Sequence, residues 1–274
     1  MRFCDLFKSA QDKIKRPETE LDLQILLEHA FGISRQQYWT RRNRQVTDLS
    51  GLRKFYRYVE RLKQQEPVAY IIKSRDFYTS SFFVNRNVLI PRPETELLVE
   101  QALKVIRTDH HILDIGAGSG NIAISLALHS QARVTAVEKS RPAIYVLKKN
   151  VGNHKTKKPI KIVEANLFPP GKDVFDIIVT NPPYVSTAEW KQLPDTIKLF
   201  EPRQALVGGK EGHEMIGRII RRAPSYLAKG GWLFIELGIQ QKDAVTHLLK
   251  ENRFKNIRFF NDYNKIPRVV KARL

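Results

Sequence analysis

An α/β fold on a mostly parallel sheet, preceded by a small all-helical domain, is predicted by three observations. Beyond residue 110, short β-branched runs alternate with segments of helical periodicity, the pattern of parallel strands joined by helical crossovers. Residues 1–70 carry helical periodicity alone. Between them, residues 71–90 hold short aromatic and β-branched runs of hairpin character. The expected division is a helical domain at 1–70, a β-hairpin linker at 71–90 and an α/β domain at 91–274.

In order, Thr19 caps a helix with Leu21, Ile25, Leu26 and Ala30 on one face. Leu52, Phe55, Tyr56, Val59 and Leu62 mark a second amphipathic helix that stops near Pro67. The linker is Asp76–Thr79 and Phe82–Val84 about a Ser80-Ser81 turn, then Val88–Ile90. A helix with Leu97, Leu98, Ala102 and Leu103 follows Pro91-Arg92-Pro93-Glu94-Thr95-Glu96. Strands are then expected at 111–115, 133–138, 160–164, 174–180 and 231–237, with helices at 120–128, 143–151, 215–227 and 241–249. Residues 257–260 and 268–272 suit a terminal hairpin. Ligands of such a sheet bind at the carboxyl ends of its strands, where this sequence places its loops.

Composition narrows the functional classes. At 274 residues, 42% hydrophobic and 27% charged, the chain has the make-up of a soluble globular protein with ample core. It has no apolar run of membrane-spanning length, and its N-terminus lacks a signal-peptide core. A single cysteine, Cys4, points to the reducing cytoplasm, and scattered histidines offer no metal-site spacing. The expectation is therefore no metal, no membrane and a cytoplasmic monomer. The net charge of +19 favours an acidic or polyanionic partner, so nucleic acid is possible without being required.

The chemistry is carried by two loops and three further residues. Asp114-Ile115-Gly116-Ala117-Gly118-Ser119-Gly120 joins the first strand of the α/β domain to its helix. Its glycines allow positive φ and close approach of a ligand to the backbone. The Gly-x-Gly-x-Gly spacing departs from the dinucleotide fingerprint, and no Walker A sequence is present. A zwitterionic amino-acid tail beside backbone amides fits better than a phosphate. Glu138 ends the second strand, where a carboxylate meets ribose hydroxyls. Asn166 and Leu167 follow the third and could contact an adenine ring.

Asn181-Pro182-Pro183-Tyr184 ends the apolar run Phe175–Thr180. Two prolines stiffen the turn and remove donors, leaving the Asn181 side-chain oxygen and the Pro182 carbonyl as fixed acceptors. Such a pair suits a planar NH2 group with its two donors in one plane, and Tyr184 adds an aromatic face. Together these elements indicate S-adenosylmethionine-dependent methyl transfer to a planar amino group. Asn181, Pro182 and Tyr184 are the candidate catalytic residues. The set Asn181, Pro182, Pro183 and Tyr184 would bind substrate. Asp114, Gly116, Ala117, Gly118, Ser119, Gly120, Glu138, Asn166, Leu167 and Asn181 would bind cofactor.

With Leu89–Glu96, Phe200-Glu201-Pro202-Arg203-Gln204-Ala205-Leu206 and the helical N-terminal region, these motifs resemble the HemK/PrmC-type release-factor glutamine methyltransferases over essentially the whole chain. The resemblance implies a class I, Rossmann-like catalytic domain with a mostly parallel seven-stranded sheet. It also implies methylation of the glutamine side-chain amide in the Gly-Gly-Gln motif of peptide chain release factors, with the helical domain docking the substrate. Two alternatives stand beside it: a nucleic-acid methyltransferase acting on the exocyclic amine of adenine, and a ribosomal-protein glutamine methyltransferase.

Overall fold

The computed structural model describes residues 1–14 and 19–274. They form two compact units, Met1–Ser74 and Arg75–Leu274.

The first unit is helical among the described residues: α1 (Phe3–Lys13), α2 (Thr19–Phe31), α3 (Arg35–Arg41), α4 (Leu49–Lys63) and α5 (Val68–Ile72). Asp48 starts α4 by accepting from the amides of Ser50 and Gly51, both at 2.9 Å. As expected, α4 buries Phe55, Val59 and Leu62, and Tyr58 joins them. In α2 the buried face is Leu23, Leu26, Leu27 and Ala30, while Leu21 is exposed. The i, i+3, i+4, i+7 stripe from Leu23 keeps four apolar residues together, and the stripe drawn from Leu21 does not. Arg61 ties the end of α4 to α5, bonding Glu66 and the carbonyls of Tyr70 and Ile71.

The second unit opens with the hairpin β1 (Arg75–Phe77) and β2 (Ser80–Phe82). Its turn is Tyr78-Thr79, two residues before the expected serines, because Phe77 pairs with Ser80 and Tyr78 takes φ +56°. Phe77 and Phe82 belong to the main core of this unit, so the hairpin is part of it, not a connector. Residues 88–90 are not a strand.

There follow α6 (Glu94–Leu103), β3 (His111–Ile115), α7 (Asn121–His129), β4 (Arg133–Glu138), α8 (Arg141–Asn153), β5 (Lys161–Glu164) and β6 (Phe175–Thr180). Beyond Tyr184 the chain forms β7 (Val185–Ser186), α9 (Thr187–Gln192), α10 (Asp195–Phe200) and β8 (Val207–Gly209). The chain ends with α11 (Glu214–Arg222), β9 (Leu227–Glu236), α12 (Lys242–Glu251), β10 (Lys255–Asn261) and β11 (Pro267–Arg273).

Seven strands pair in the order β10-β11-β9-β6-β3-β4-β5, with β9, β6, β3, β4 and β5 parallel and β10 and β11 antiparallel. Apolar side chains fill both faces. Leu98, Ile112, Ile124, Val179 and Phe234 lie in one core, and Leu113, Ile178, Ile219, Leu233 and Val245 in the other. Strand order reverses between β3 and β6, which opens a crevice at their carboxyl ends. Phe234 sits fully buried on β9, beside the central strand β6. Phe234→Ala should cost about 3–5 kcal/mol of unfolding free energy, read as a lowered urea midpoint with an unchanged slope.

Candidate active site

The glycine loop and the Asn-Pro-Pro-Tyr turn emerge side by side. Ile115 and Thr180 are register partners on β3 and β6, and the Thr180 hydroxyl donates to the Ile115 carbonyl at 2.8 Å. Each strand then runs directly into its loop, so tertiary pairing sets Gly116 next to Asn181. Gly116 and Gly118 take φ of +73° and +55°. A Cβ at Gly116 would meet no atom within 4 Å, and one at Gly118 only the Gly116 carbonyl at 3.8 Å. These two glycines leave open space over the backbone, which is room for a ligand. Gly120 differs: its Cβ would lie 2.4 Å from Leu147 Cδ1, so glycine there lets helix and loop pack closely.

A cleft lies over these loops. Its walls include Gly116, Ala117, Gly118, Ser119, Glu138, Asn166, Leu167, Asn181, Pro182 and Pro183. Three expected site residues are not in those walls. Gly120 is turned into the packing just described. Asp114 is buried under the loop, where Oδ2 accepts from the Ala123 amide at 3.0 Å and braces the start of α7. Burial lifts its carboxyl to about 7, assisted by the nearby charge of Glu138. Tyr184 lies behind the Asn-Pro-Pro wall, with its hydroxyl donating to Glu236 Oε1 at 3.2 Å. It therefore offers no face to the cleft, and burial raises its pKa.

Glu138 is held by the backbone. Oε2 accepts from Gly118 N at 3.0 Å and Oε1 from Lys139 N and Ser140 N at 2.8 Å. One acceptor position on Oε2 remains for an incoming hydroxyl, and a second hydroxyl would have to displace an amide.

Asn181 is oriented by a residue that motif spacing did not single out. Its Nδ2 donates to the Thr95 hydroxyl at 3.1 Å. No described residue donates to Oδ1, and the side chain borders the cleft. Thr95 is almost wholly buried near the start of α6, and it opposes the rise that burial imposes on the carboxyl of Glu236 at the end of β9. A carboxylate ending the apolar run Gly231–Ile235 was the available sequence signal for Glu236. The turn is fixed from its other side as well. Gln241 Nε2 donates to the Tyr184 carbonyl at 2.8 Å, and its Oε1 accepts from Gly238 N at 2.9 Å. Gly208 and Gly212 pass so close that an added Cβ would stand 2.3 Å from the Pro183 carbonyl oxygen and 2.4 Å from that of Tyr184, respectively. Across the cleft, Arg92 pairs with the buried Glu201, whose other oxygen accepts from Ile90 N at 3.2 Å.

Residues 93–198 match the methyltransferase small domain family and residues 5–72 the PrmC N-terminal domain family. A release factor glutamine methyltransferase of Geobacter sulfurreducens is 37% identical over 258 residues, spanning 93% of this chain and 89% of its own. One from Chlorobaculum tepidum is 38% identical over 272 residues, spanning 94% of this chain and 91% of its own. The chain belongs to the release factor glutamine methyltransferase family. Solved structures agree on the class I methyltransferase fold. The human Mettl16 catalytic domain in complex with an RNA hairpin superposes with a TM-score of 0.58 at 16% identity, over 80% of each chain.

In this methyltransferase the donor set suits an adenosyl amino acid. The open glycine backbone, the free acceptor position on Glu138 and the mixed Asn166–Leu167 edge provide amide donors, a carboxylate and an apolar surface along one cleft. Among the described residues no cluster of three or more His, Cys, Asp or Glu could hold a metal ion, and no helix is long and apolar enough to cross a membrane.

Proposed function

We propose that this enzyme methylates the side-chain amide nitrogen of the glutamine in the Gly-Gly-Gln motif of peptide chain release factors, in the cytoplasm, with S-adenosyl-L-methionine as donor. The observation that carries the reading is the adjacency of the glycine loop and a preset Asn181 within one cleft, in a chain of this family.

When bound, S-adenosyl-L-methionine supplies a methyl group made electrophilic by its positively charged sulfur. Gly116 to Ser119 would hold its amino-acid tail, Glu138 its ribose, and Asn166 with Leu167 its adenine. The substrate amide is a poor nucleophile because its lone pair is delocalised into the carbonyl. Asn181 Oδ1 and the Pro182 carbonyl accept its two N–H bonds and turn the nitrogen's π face toward the methyl carbon. Positive charge grows on that nitrogen during attack, so both acceptors bind more strongly in the transition state than before it. Orientation of this kind supplies on the order of 7–11 kcal/mol in favourable cases. The surplus proton leaves to water afterwards. Tyr184, buried and held protonated as a donor to Glu236, does not serve as a base.

Methyl-labelled cofactor should place one methyl group on the Gly-Gly-Gln glutamine of purified release factor, read by peptide mass spectrometry. Label appearing instead in ribosomal protein, or in nuclease-sensitive material, would overturn the assignment. Glu138→Ala should weaken cofactor binding about 10–100-fold, the loss of roughly one or two charge-assisted hydrogen bonds. Titration calorimetry measures this, and turnover at saturating cofactor should change far less.

A further inference from the structure

We propose that the β10–β11 edge of the sheet is a docking surface for single-stranded RNA, whose phosphates are held by Lys255, Arg258, Lys271 and Arg273. It lies outside the catalytic cleft, which none of these residues lines.

The pairing of the two strands sets cation against cation. Lys255 is the register partner of Arg273, and Arg258 of Lys271. Three steps along β10 answer two along β11, so a bulge absorbs one residue and keeps both pairs on one face. Strict alternation would send Arg258 to the side opposite Lys255. Like charges directly opposite each other weaken a sheet. Yet among the described residues no carboxylate forms an ion pair with any of the four, and the one acid of the hairpin, Asp262, is spent on Arg268 at 3.0 Å.

An aromatic ring holds two of these cations instead. Trp232 on β9 is the register partner of Arg273, and Phe234 of Lys271. Lys271 Nζ stands 4.1 Å from the Trp232 ring centroid, and Arg273 Cζ 5.2 Å from it. A ring fixes a cation without neutralising it, so the charge stays available to an incoming anion. Arg273 gives its Nε to the Gly230 carbonyl at 2.8 Å, which leaves its outer nitrogens for a phosphate. Burial, Arg258 and Lys104 all lower the Lys271 pKa, and no acid offsets them. Charges on an edge strand also discourage pairing with another chain. That protection needs cations on β10 alone and does not account for the half-buried Lys271 on the interior strand β11.

One further observation favours RNA over an acidic peptide. Tyr263, at the tip of the same hairpin, is fully exposed. It offers a face on which an unpaired base can stack, and a carboxylate-rich peptide would have no use for it. The net charge of +19 draws such a strand toward the protein.

The test is fluorescence anisotropy of a labelled, unstructured RNA of about 20 nucleotides, titrated with the full chain at several salt concentrations. The logarithm of affinity should fall against that of salt with a slope of about −2.8, four contacts at about 0.7 each. Lys255→Gln with Arg258→Gln, both at exposed positions, should weaken binding about tenfold or more and flatten the slope by about 1.4. Lys271→Gln with Arg273→Gln should do the same; if that pair disturbs Trp232 packing, the exposed pair decides alone. Tyr263→Ala should weaken binding about fivefold or more. Lys157→Gln with Lys172→Gln removes two exposed charges elsewhere and should change affinity by no more than about twofold. All variants should keep wild-type turnover on release factor, and the RNA should remain unmethylated. No saturable binding at about 0.15 M salt, or equal weakening by the Lys157 and Lys172 pair, would overturn the proposal. So would polyglutamate or phosphatidylserine vesicles binding as tightly and losing as much in the hairpin variants. Lost release-factor turnover in the Lys255 and Arg258 pair would give the surface to the protein substrate and end the assignment to RNA.

Discussion

Asn181→Ala should reduce turnover by roughly 10²–10³-fold or more while cofactor affinity stays within a few-fold of wild type. Removing one preorganised group that acts on developing charge costs about that much elsewhere. The carboxamide at this position has one amide proton on Thr95 and its oxygen free along the cleft. Alanine deletes the acceptor without touching the glycine loop or Glu138. The structural cost is small, since Asn181 is only half-buried. Single-turnover rates at saturating cofactor, with calorimetry on the same preparation, read both quantities. Loss of cofactor binding with an unchanged rate in the bound complex would show that Asn181 serves the cofactor and not the substrate.

Gly208→Ala should be nearly as damaging from a residue outside every recognised motif. The new Cβ would lie 2.2 Å from the Gly212 carbonyl oxygen and 2.3 Å from that of Pro183. Both neighbours are backbone, so no side chain can swing aside to relieve the contact. The Asn-Pro-Pro segment must move, and a shift of about 1 Å in a positioning group can cost on the order of 10²-fold in rate. Overpacking of this kind also costs about 1–3 kcal/mol in stability. A useful comparison is Gly152→Ala at the end of α8, where the added methyl meets no atom within 4 Å. That change should leave turnover alone and raise stability by about 0.5–1 kcal/mol. Equal kcat in Gly208→Ala and wild type would mean that strand β8 does not buttress the turn.

The two substitutions divide the site by how it can be read. Asn181 and Pro182 stand out in a linear sequence because a polar residue and two prolines end an apolar strand, and their covalent stiffness is local. Gly116 and Gly118 stand out likewise, and both line the cleft. Gly208 carries no such signal. Its requirement comes from a strand that returns from more than twenty residues away to lie against the turn.

Sequence by itself determined the alternation of the main strands and helices beyond residue 110 and the two loops that leave β3 and β6 side by side. Those properties follow from periodicity and from backbone restrictions that each residue carries with it. Three-dimensional packing decided the rest. It rotated the buried face of α2 from Leu21 to Leu23, placed the hairpin turn at Tyr78-Thr79, and drew Phe77 and Phe82 into the core. It also turned Tyr184 away from the cleft onto Glu236, and brought Thr95 from α6 to Asn181 across 86 positions of chain. The physical reason is common to all of these. Which side of an element is buried, and which hydroxyl meets which carboxylate, depends on neighbours supplied by sheet pairing and helix docking.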